Sequence, residues 1–370
     1  MFSVRKVISF ILVFCLLASL FAISASGISA KSAVVICGDT GEILYSHNHN
    51  ARMSMASTTK IMTAWLLCLL GGDLSRTVVT TPEMVTVEGS SMGLLAGDTV
   101  SLRDLLYGMM LPSGNDAANT ATIAIGGSVE GFVELMNKKA AEMGLENTHF
   151  CTPSGLDAES HYTTAYELAL IAREALKNEE FAAAAAAKSA TLSYGNPPYR
   201  RTLTNHNKLL KMYDDVVGVK TGFTKKSGRC LVSAAKSDGK YVIAVTLNDG
   251  NDWADHRTLL DIGLAAVQVQ NIDFDFKKLS LPIASGGAID EDVPDFKLCT
   301  AMNTEISALV SAPRFLYAPV KAGESVAKIE YYCNGELISA TDITATDDIN
   351  SESVEFFEKW LNMFKYMFRS

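Results

Sequence analysis

The sequence predicts an α/β (α+β) fold, and three observations carry that expectation. From residue 32 to about 267, segments with helical periodicity alternate with short apolar strands. From about 268–275 onward the pattern becomes short β-type runs separated by Gly, Asp and Asn. The last twenty residues gather their large apolar side chains on one side of a helical wheel. With 48% apolar and 20% charged residues, the chain has the composition of a folded protein rather than a disordered one. A net charge of −9 lacks the basic footprint that a nucleic-acid binder needs, so no nucleic-acid partner is expected.

Residues 1–30 read as an export signal. Arg5 and Lys6 precede an apolar run at 7–23, and Ser24-Ala25-Ser26-Gly27 supplies small residues for cleavage. The run is long for a signal, so an uncleaved N-terminal anchor is the alternative. Cys15 follows the bulky Phe14, which does not suit lipidation. The body of the protein is expected to be exported, lying at the outer face of the cytoplasmic membrane or beyond it. Cys37, Cys68, Cys151, Cys230, Cys299 and Cys333 follow the signal. Their even number permits disulfides, but their scatter through apolar runs favours buried free thiols. No Cys/His spacing suits a metal, and no cofactor is implied.

Within the larger domain, expected at 31–270, residues 33–37 and 43–45 flank Gly38-Asp39-Thr40-Gly41 as a hairpin. Residues 58–70 are apolar on nearly every face and stop at Gly71-Gly72, the pattern of a buried central helix. Amphipathic helices are expected at 102–110, 131–143 and 164–177, and the alanine run 182–187 favours helix. Strands follow at 216–219, 230–235 and 241–247, the last two joined through Asp238-Gly239. A β-rich domain is expected at 275–345, with strands at 274–282, 296–299, 325–331 and 337–341. Residues 351–370 place Phe356, Phe357, Trp360, Leu361, Phe364 and Phe368 on one face, with charges along the other. Those charges forbid a membrane span. They leave an interfacial membrane helix as the preferred reading, and a helix docked on its own protein as the alternative.

Ser57-Thr58-Thr59-Lys60 is an S-x-x-K motif at a helix start. Residues three apart share a helix face, so the Lys60 amine reaches the Ser57 hydroxyl. Serine needs such a base to become a nucleophile, and a lysine can serve once burial and nearby positive charge depress its pKa so that the neutral amine is available. The spacing recurs at Ser3/Lys6, Ser233/Lys236, Ser237/Lys240 and Ser325/Lys328, none of which opens a helix. Position therefore singles out Ser57. Ser113-Gly114-Asn115 follows the helix at 102–110 and offers a second hydroxyl and a carboxamide. Lys220-Thr221-Gly222 sits at the end of a strand and offers a cation, a hydroxyl and a glycine that lets backbone approach closely. Lys226-Ser227-Gly228 is a rival triplet in a turn, where a lysine lacks the rigidity of a strand.

In chain order these three motifs resemble the penicillin-recognising serine enzymes. The text around them, Ala56-Ser57-Thr58-Thr59-Lys60, Leu111-Pro112-Ser113-Gly114-Asn115-Asp116 and Val219-Lys220-Thr221-Gly222-Phe223-Thr224, is similar to the low-molecular-weight D-alanyl-D-alanine carboxypeptidases of peptidase family S11. The resemblance covers about 32–265 and implies a DD-peptidase-like antiparallel sheet flanked by helices, with a helical subdomain. It also implies removal of the terminal D-alanine from peptidoglycan stem peptides through a Ser57 acyl-enzyme, with β-lactams as inhibitors. By the same resemblance Lys60 is the general base, Ser113 the proton relay and Lys220 the source of the local field. Asn115 holds the peptide or Lys60, Thr221 the terminal carboxylate, and the N–H groups of Ser57 and Phe223, beside Gly222, form the oxyanion hole. Two departures stand out: Met55 where relatives often have Pro, and His206 where some have Arg. Two other functions stay open at this level. One is a class A β-lactamase, which needs a loop glutamate with Asn four residues on; only Glu174/Asn178 has that offset, late in a helix. The other is a non-catalytic sensor of wall peptides or β-lactams.

Overall fold

The computed structural model describes residues 27–272, 274, 277–284, 287–349 and 363–364. The expected signal, apart from its last four residues, and the segment 351–370, apart from Met363 and Phe364, lie outside the described residues. Among the described residues no helix is long and apolar enough to cross a membrane.

Strands β1 (Ser32–Cys37) and β2 (Ile43–His47) come first, then a 3-10 turn at Ala56–Thr59 that runs into helix α1 (Lys60–Leu70). After them come β3 (Thr77–Val79), α2 (Pro82–Val85), β4 (Thr99–Ser101), α3 (Leu102–Met110), α4 (Asn115–Gly126) and α5 (Val129–Glu142). Helices α6 (Ala165–Leu176) and α7 (Glu179–Ala186) lead to the hairpin β5 (Ser189–Gly195) and β6 (Pro198–Thr204). The short α8 (Leu209–Met212), strands β7 (Val216–Thr224), β8 (Gly228–Ser237) and β9 (Lys240–Leu247), and helix α9 (Asp252–Ala266) follow. The remainder is β10 (Val267–Ile272), β11 (Lys278–Pro282), β12 (Ala288–Asp292), β13 (Phe296–Ala301), β14 (Ile306–Ser311), β15 (Ser325–Cys333) and β16 (Glu336–Thr344).

The main sheet has the order β2-β1-β9-β8-β7 and is antiparallel throughout. Helices cover both faces, which is why its inner strands read as continuous apolar runs rather than alternating ones. In β1, Val34 and Ile36 face the core shared with α1 and α6, while Ala33, Val35 and Cys37 face the core under α9. Helix α1 lies at the centre of the helical part, against α3, α4, α5, α6 and α7. The expectation of a helix buried on all sides holds for residues 60–67. Its last turn emerges, with Leu69 and Leu70 about half exposed. Strands β3 to β6 form a separate four-stranded sheet.

The C-terminal part is β-rich, with ladders β10–β13 and β11–β12 and a sheet β14-β15-β16. Its core centres on Ile329 and Tyr331, the latter stacked on Phe296 at 3.9 Å. Among the described residues all six cysteines are free thiols.

One close approach in this frame fixes the loop that backs the S-x-x-K turn. Gly155 has φ +87°, and a Cβ there would lie 1.9 Å from the carbonyl oxygen of Ala56. Ala56 is itself in the left-handed region at φ +47°. A side chain at 155 therefore collides with backbone that has no freedom to retreat. Gly155→Ala is expected to destabilise the protein by roughly 2–4 kcal/mol, measured by denaturant unfolding, because strain and backbone displacement add.

Candidate active site

The 3-10 turn ends in two local caps. Thr58 Oγ1 donates to the Met55 carbonyl at 2.5 Å and Thr59 Oγ1 to the Ala56 carbonyl at 2.7 Å. This tight turn leaves Ser57 half-buried at a cavity wall and turns Lys60, fully buried, towards it. Lys60 Nζ lies 3.1 Å from Ser57 Oγ, 2.6 Å from Asn115 Oδ1 and 2.7 Å from the carbonyl oxygen of Ser154. A neutral amine has two hydrogens and one lone pair. With the hydrogens donated to Asn115 and Ser154, the lone pair faces the Ser57 hydroxyl.

Burial pushes the Lys60 pKa well below its ordinary value, and the positive charge of Lys220 adds to the effect, against an opposing pull from Asp116. Lys220 is buried too and is brought down to about 7 by desolvation. Its Nζ donates to Ser113 Oγ and to the Thr221 carbonyl, each at 2.9 Å. Ser113 is held at φ +62°, a strained backbone position that aims its hydroxyl inward. The sequence suggests that Lys220-Thr221-Gly222 ends a strand; in the structure β7 continues through it to Thr224. Pairing with β8 along that length supplies the rigidity, with Lys220 opposite Val232 and Phe223 opposite Arg229. Gly222 passes so close to the turn that a Cβ would sit 3.0 Å from the Ser57 and Thr58 nitrogens. The rival Lys226 is exposed in the turn after β7 and donates to the Ala158 carbonyl at 3.5 Å.

The eight residues singled out from the sequence thus meet in one place. Ser57, Ser113, Thr221, Gly222 and Phe223 line a cavity of about 590 Å³. Lys60, Asn115 and Lys220 stand buried behind its wall. His206 also lines the cavity although its residue is exposed. Its pKa is lowered by burial first and by Lys220 second. Among the described lining residues the carboxylate is Asp252, which pairs with Arg229 at 3.8 Å. Glu174 instead pairs with Arg173 and Lys177, each at 2.8 Å, on α6. Glu167 accepts from the Asn147 backbone N–H at 2.9 Å.

Several contributors escape a sequence reading. The Ser154 carbonyl is a backbone acceptor and carries no residue signature. Asp116 accepts backbone N–H bonds from Met92, Gly93 and Leu94 at 2.9–3.0 Å, tying the loop at 88–94 to the start of α4. In that loop the Glu88 carbonyl accepts from Asn115 Nδ2 at 2.6 Å, which fixes Asn115 Oδ1 towards Lys60. His161 Nδ1 accepts the Cys151 N–H at 3.0 Å, so its Nε2 carries the proton given to Thr59 Oγ1 at 2.8 Å. Desolvation holds His161 neutral, with its pKa near 4.

Known proteins share this chain's sequence and fold. The sequence model of the family D-alanyl-D-alanine carboxypeptidase, peptidase S11, matches residues 20–251. The D-alanyl-D-alanine carboxypeptidase DacF of Bacillus subtilis is 33% identical over 354 residues, covering 89% of this chain and 88% of its own. The crystal structure of the Streptomyces K15 DD-transpeptidase superposes with a TM-score of 0.62 at 33% identity, over 66% of this chain and 100% of that one. Penicillin binding protein 5 from Haemophilus influenzae gives 0.64 at 25% identity, over 89% and 100%.

The two buried lysines set a pH test. With Lys60 as the expected base, which accepts a proton only when neutral, acylation is expected to be lost as pH falls through its lowered pKa. Lys220→Gln removes a positive charge that depresses that pKa, so the acid limb of the penicillin-labelling rate is expected to move to higher pH. The plateau rate should also fall on the order of 10²-fold, as when an oriented electrostatic group is removed. Lys226→Gln should leave both limb and plateau unchanged.

Proposed function

The chain belongs to the D-alanyl-D-alanine carboxypeptidase family, peptidase S11, and from that premise we propose a serine acyl-transfer reaction centred on Ser57. The activity is that of a serine-type D-Ala-D-Ala carboxypeptidase, which removes the terminal D-alanine from peptidoglycan stem peptides and is acylated by penicillins. In the proposed reaction Ser57 Oγ attacks the carbonyl between the two D-alanines while Lys60 takes its proton. The oxyanion is met by the N–H groups of Ser57 and Phe223, with Gly222 keeping the strand close. Ser113 relays the proton taken by Lys60 on to the departing D-alanine nitrogen in the field of Lys220, which restores both the Ser113 hydroxyl and the neutral Lys60 amine. Thr221 holds the terminal carboxylate, and Asn115 keeps Lys60 in register and is available to the peptide. Water then frees the acyl-enzyme.

The observation that carries the assignment of roles is the pair of contacts across the cavity, Lys60 to Ser57 at 3.1 Å and Lys220 to Ser113 at 2.9 Å. A base beside a nucleophile is of no use to a non-catalytic sensor. A class A β-lactamase mechanism is disfavoured because Glu174 is engaged elsewhere and no glutamate is among the described lining residues.

The rest of the chain fits an enzyme working on the wall from outside the cell. We assign residues 1–30 to the export signal, 31–270 to the peptidase domain, 275–345 to a β-rich domain and 351–370 to an interfacial helix on the membrane surface. That places the enzyme, as a peripheral protein, on the outer membrane face or in the wall.

Two outcomes test this reading. Ser57→Ala is expected to lower release of D-alanine from a D-Ala-D-Ala peptide by about 10⁴-fold or more and to abolish stable fluorescent-penicillin labelling. Saturable peptide binding without product in the unmodified enzyme would instead point to a sensor. Removing residues 351–370 is expected to shift the protein from the membrane to the soluble fraction with D-alanine release intact. Continued sedimentation with membranes would transfer the anchoring to an uncleaved N-terminal segment.

A further inference from the structure

Cys37 is the last residue of β1, in the main sheet, and Cys299 lies in β13, which pairs with β10. They are 262 positions apart, yet their sulfurs are 3.8 Å apart, in van der Waals contact. Both are buried, at 0% and 1% exposure. The contact is held from several sides. The Cys37 thiol donates to the Cys299 carbonyl at 3.1 Å. Cys299 Sγ accepts the Tyr241 N–H of β9 at 3.3 Å. The Cys299 N–H in turn donates to Asp39 Oδ2 at 2.8 Å, just beyond β1. Next to them Glu42 accepts from Thr304 Oγ1 at 2.7 Å and from the Ala301 N–H at 3.2 Å, fastening the far end of β13 to the same hairpin. Elsewhere Cys151 faces the His149 ring and Cys230 the Ser54 carbonyl.

We propose that Cys37 and Cys299 form an oxidisable dithiol that closes into a disulfide, stitching the first strand of the peptidase sheet to the β-rich C-terminal part. Neither residue lines the active-site cavity, so the inference is independent of the acyl-transfer roles. Sulfurs already in contact need only side-chain rotation and a small strand shift to reach the bonding distance of about 2.0 Å. Exchange with a small-molecule disulfide balances the step. The Cys37 thiolate attacks one sulfur of the oxidant and releases one thiol. The Cys299 thiolate then attacks Cys37 and releases the second. Two protein thiols are oxidised, one oxidant disulfide is reduced, and the two protons end on the released thiols. Burial confines the reaction to the time when β13 is docking or briefly open, and afterwards shields the bond.

The test uses the full chain, purified reduced and incubated with oxidised glutathione at mild denaturant concentration, then unfolded, alkylated and digested. The expected result is loss of alkylation at 37 and 299 together, and a linked peptide pair lighter by two hydrogens that dithiothreitol separates. Cys37→Ser and Cys299→Ser, each checked for folding by penicillin labelling, should lose the linked pair while the remaining cysteine alkylates. Full alkylation of both residues in the oxidised wild-type protein would overturn the proposal. So would persistence of either residue as a glutathione adduct, or its linkage to a different cysteine.

Discussion

A lysine that is buried beside a second lysine, and whose amine contacts Ser57, Asn115 and the Ser154 carbonyl with no carboxylate in direct contact among the described residues, is the constraint on which the active site depends. An unpaired buried ammonium costs several kcal/mol, and that cost favours the neutral form of Lys60 and lowers its pKa. The neutral amine that results has an acceptor lone pair, which no ordinary surface lysine offers near neutral pH. The surroundings use up its two hydrogens, on Asn115 Oδ1 and the Ser154 carbonyl, and leave Ser57 the one direction unfilled. The desolvation that makes Lys60 expensive to bury is therefore what fits it to be a base.

Holding that arrangement requires strained backbone on several sides at once. Ala56 and Ser113 are non-glycine residues in the left-handed region, at φ +47° and +62°. Gly155 and Gly222 lack the side chains that would push the S-x-x-K turn away from its neighbours. Such strain persists only where the remainder of the fold over-determines it. Here the apolar core on both sides of α1, the Asp116 ties to the 88–94 loop and the Thr59–His161 hydrogen bond supply that rigidity. The site is rigid because it is built into the junction of the helical part and the edge of the sheet, not laid on a loop.

The same physics explains what could be read from the residues beforehand. Strands β1, β8 and β9 were legible because both their faces are buried and their apolar runs are broken only by Ser233 in β8 and Thr246 in β9. Helices α3 and α6 were legible from their periodicity, and the structure shows side-chain N-caps at Ser101 and Thr164. Helix α4 was not, because Asn115, Asp116, Asn119, Thr120 and Thr122 are buried polar residues and leave no apolar stripe. Helix α9 hides for a related reason: His256 is buried between Ser233 and Thr246, at 2.5 and 2.9 Å. Lys220-Thr221-Gly222 looks like a strand end because lysine and glycine interrupt hydrophobic alternation, although the ladder runs on through them. Motif residues were visible as side-chain chemistry. The Ser154 carbonyl and the loop that presents it were not, since a backbone acceptor has no letter.

The geometry also bears on why a penicillin is retained where a peptide is released. In the proposed reaction a departing D-alanine vacates the space between Ser113, Thr221 and Ser57, and water enters against a base that has regained its lone pair. The amine expelled from a β-lactam stays tethered to the acyl group, so that space remains filled. A second base on another side of the ester could circumvent the block, as a glutamate does in class A β-lactamases. Among the described lining residues the carboxylate is Asp252, engaged with Arg229 on the β8 side. In the proposed reaction deacylation would then fall to Lys60 along the path the leaving group takes. One amine would serve both half-reactions, and a leaving group that does not leave would disable the second.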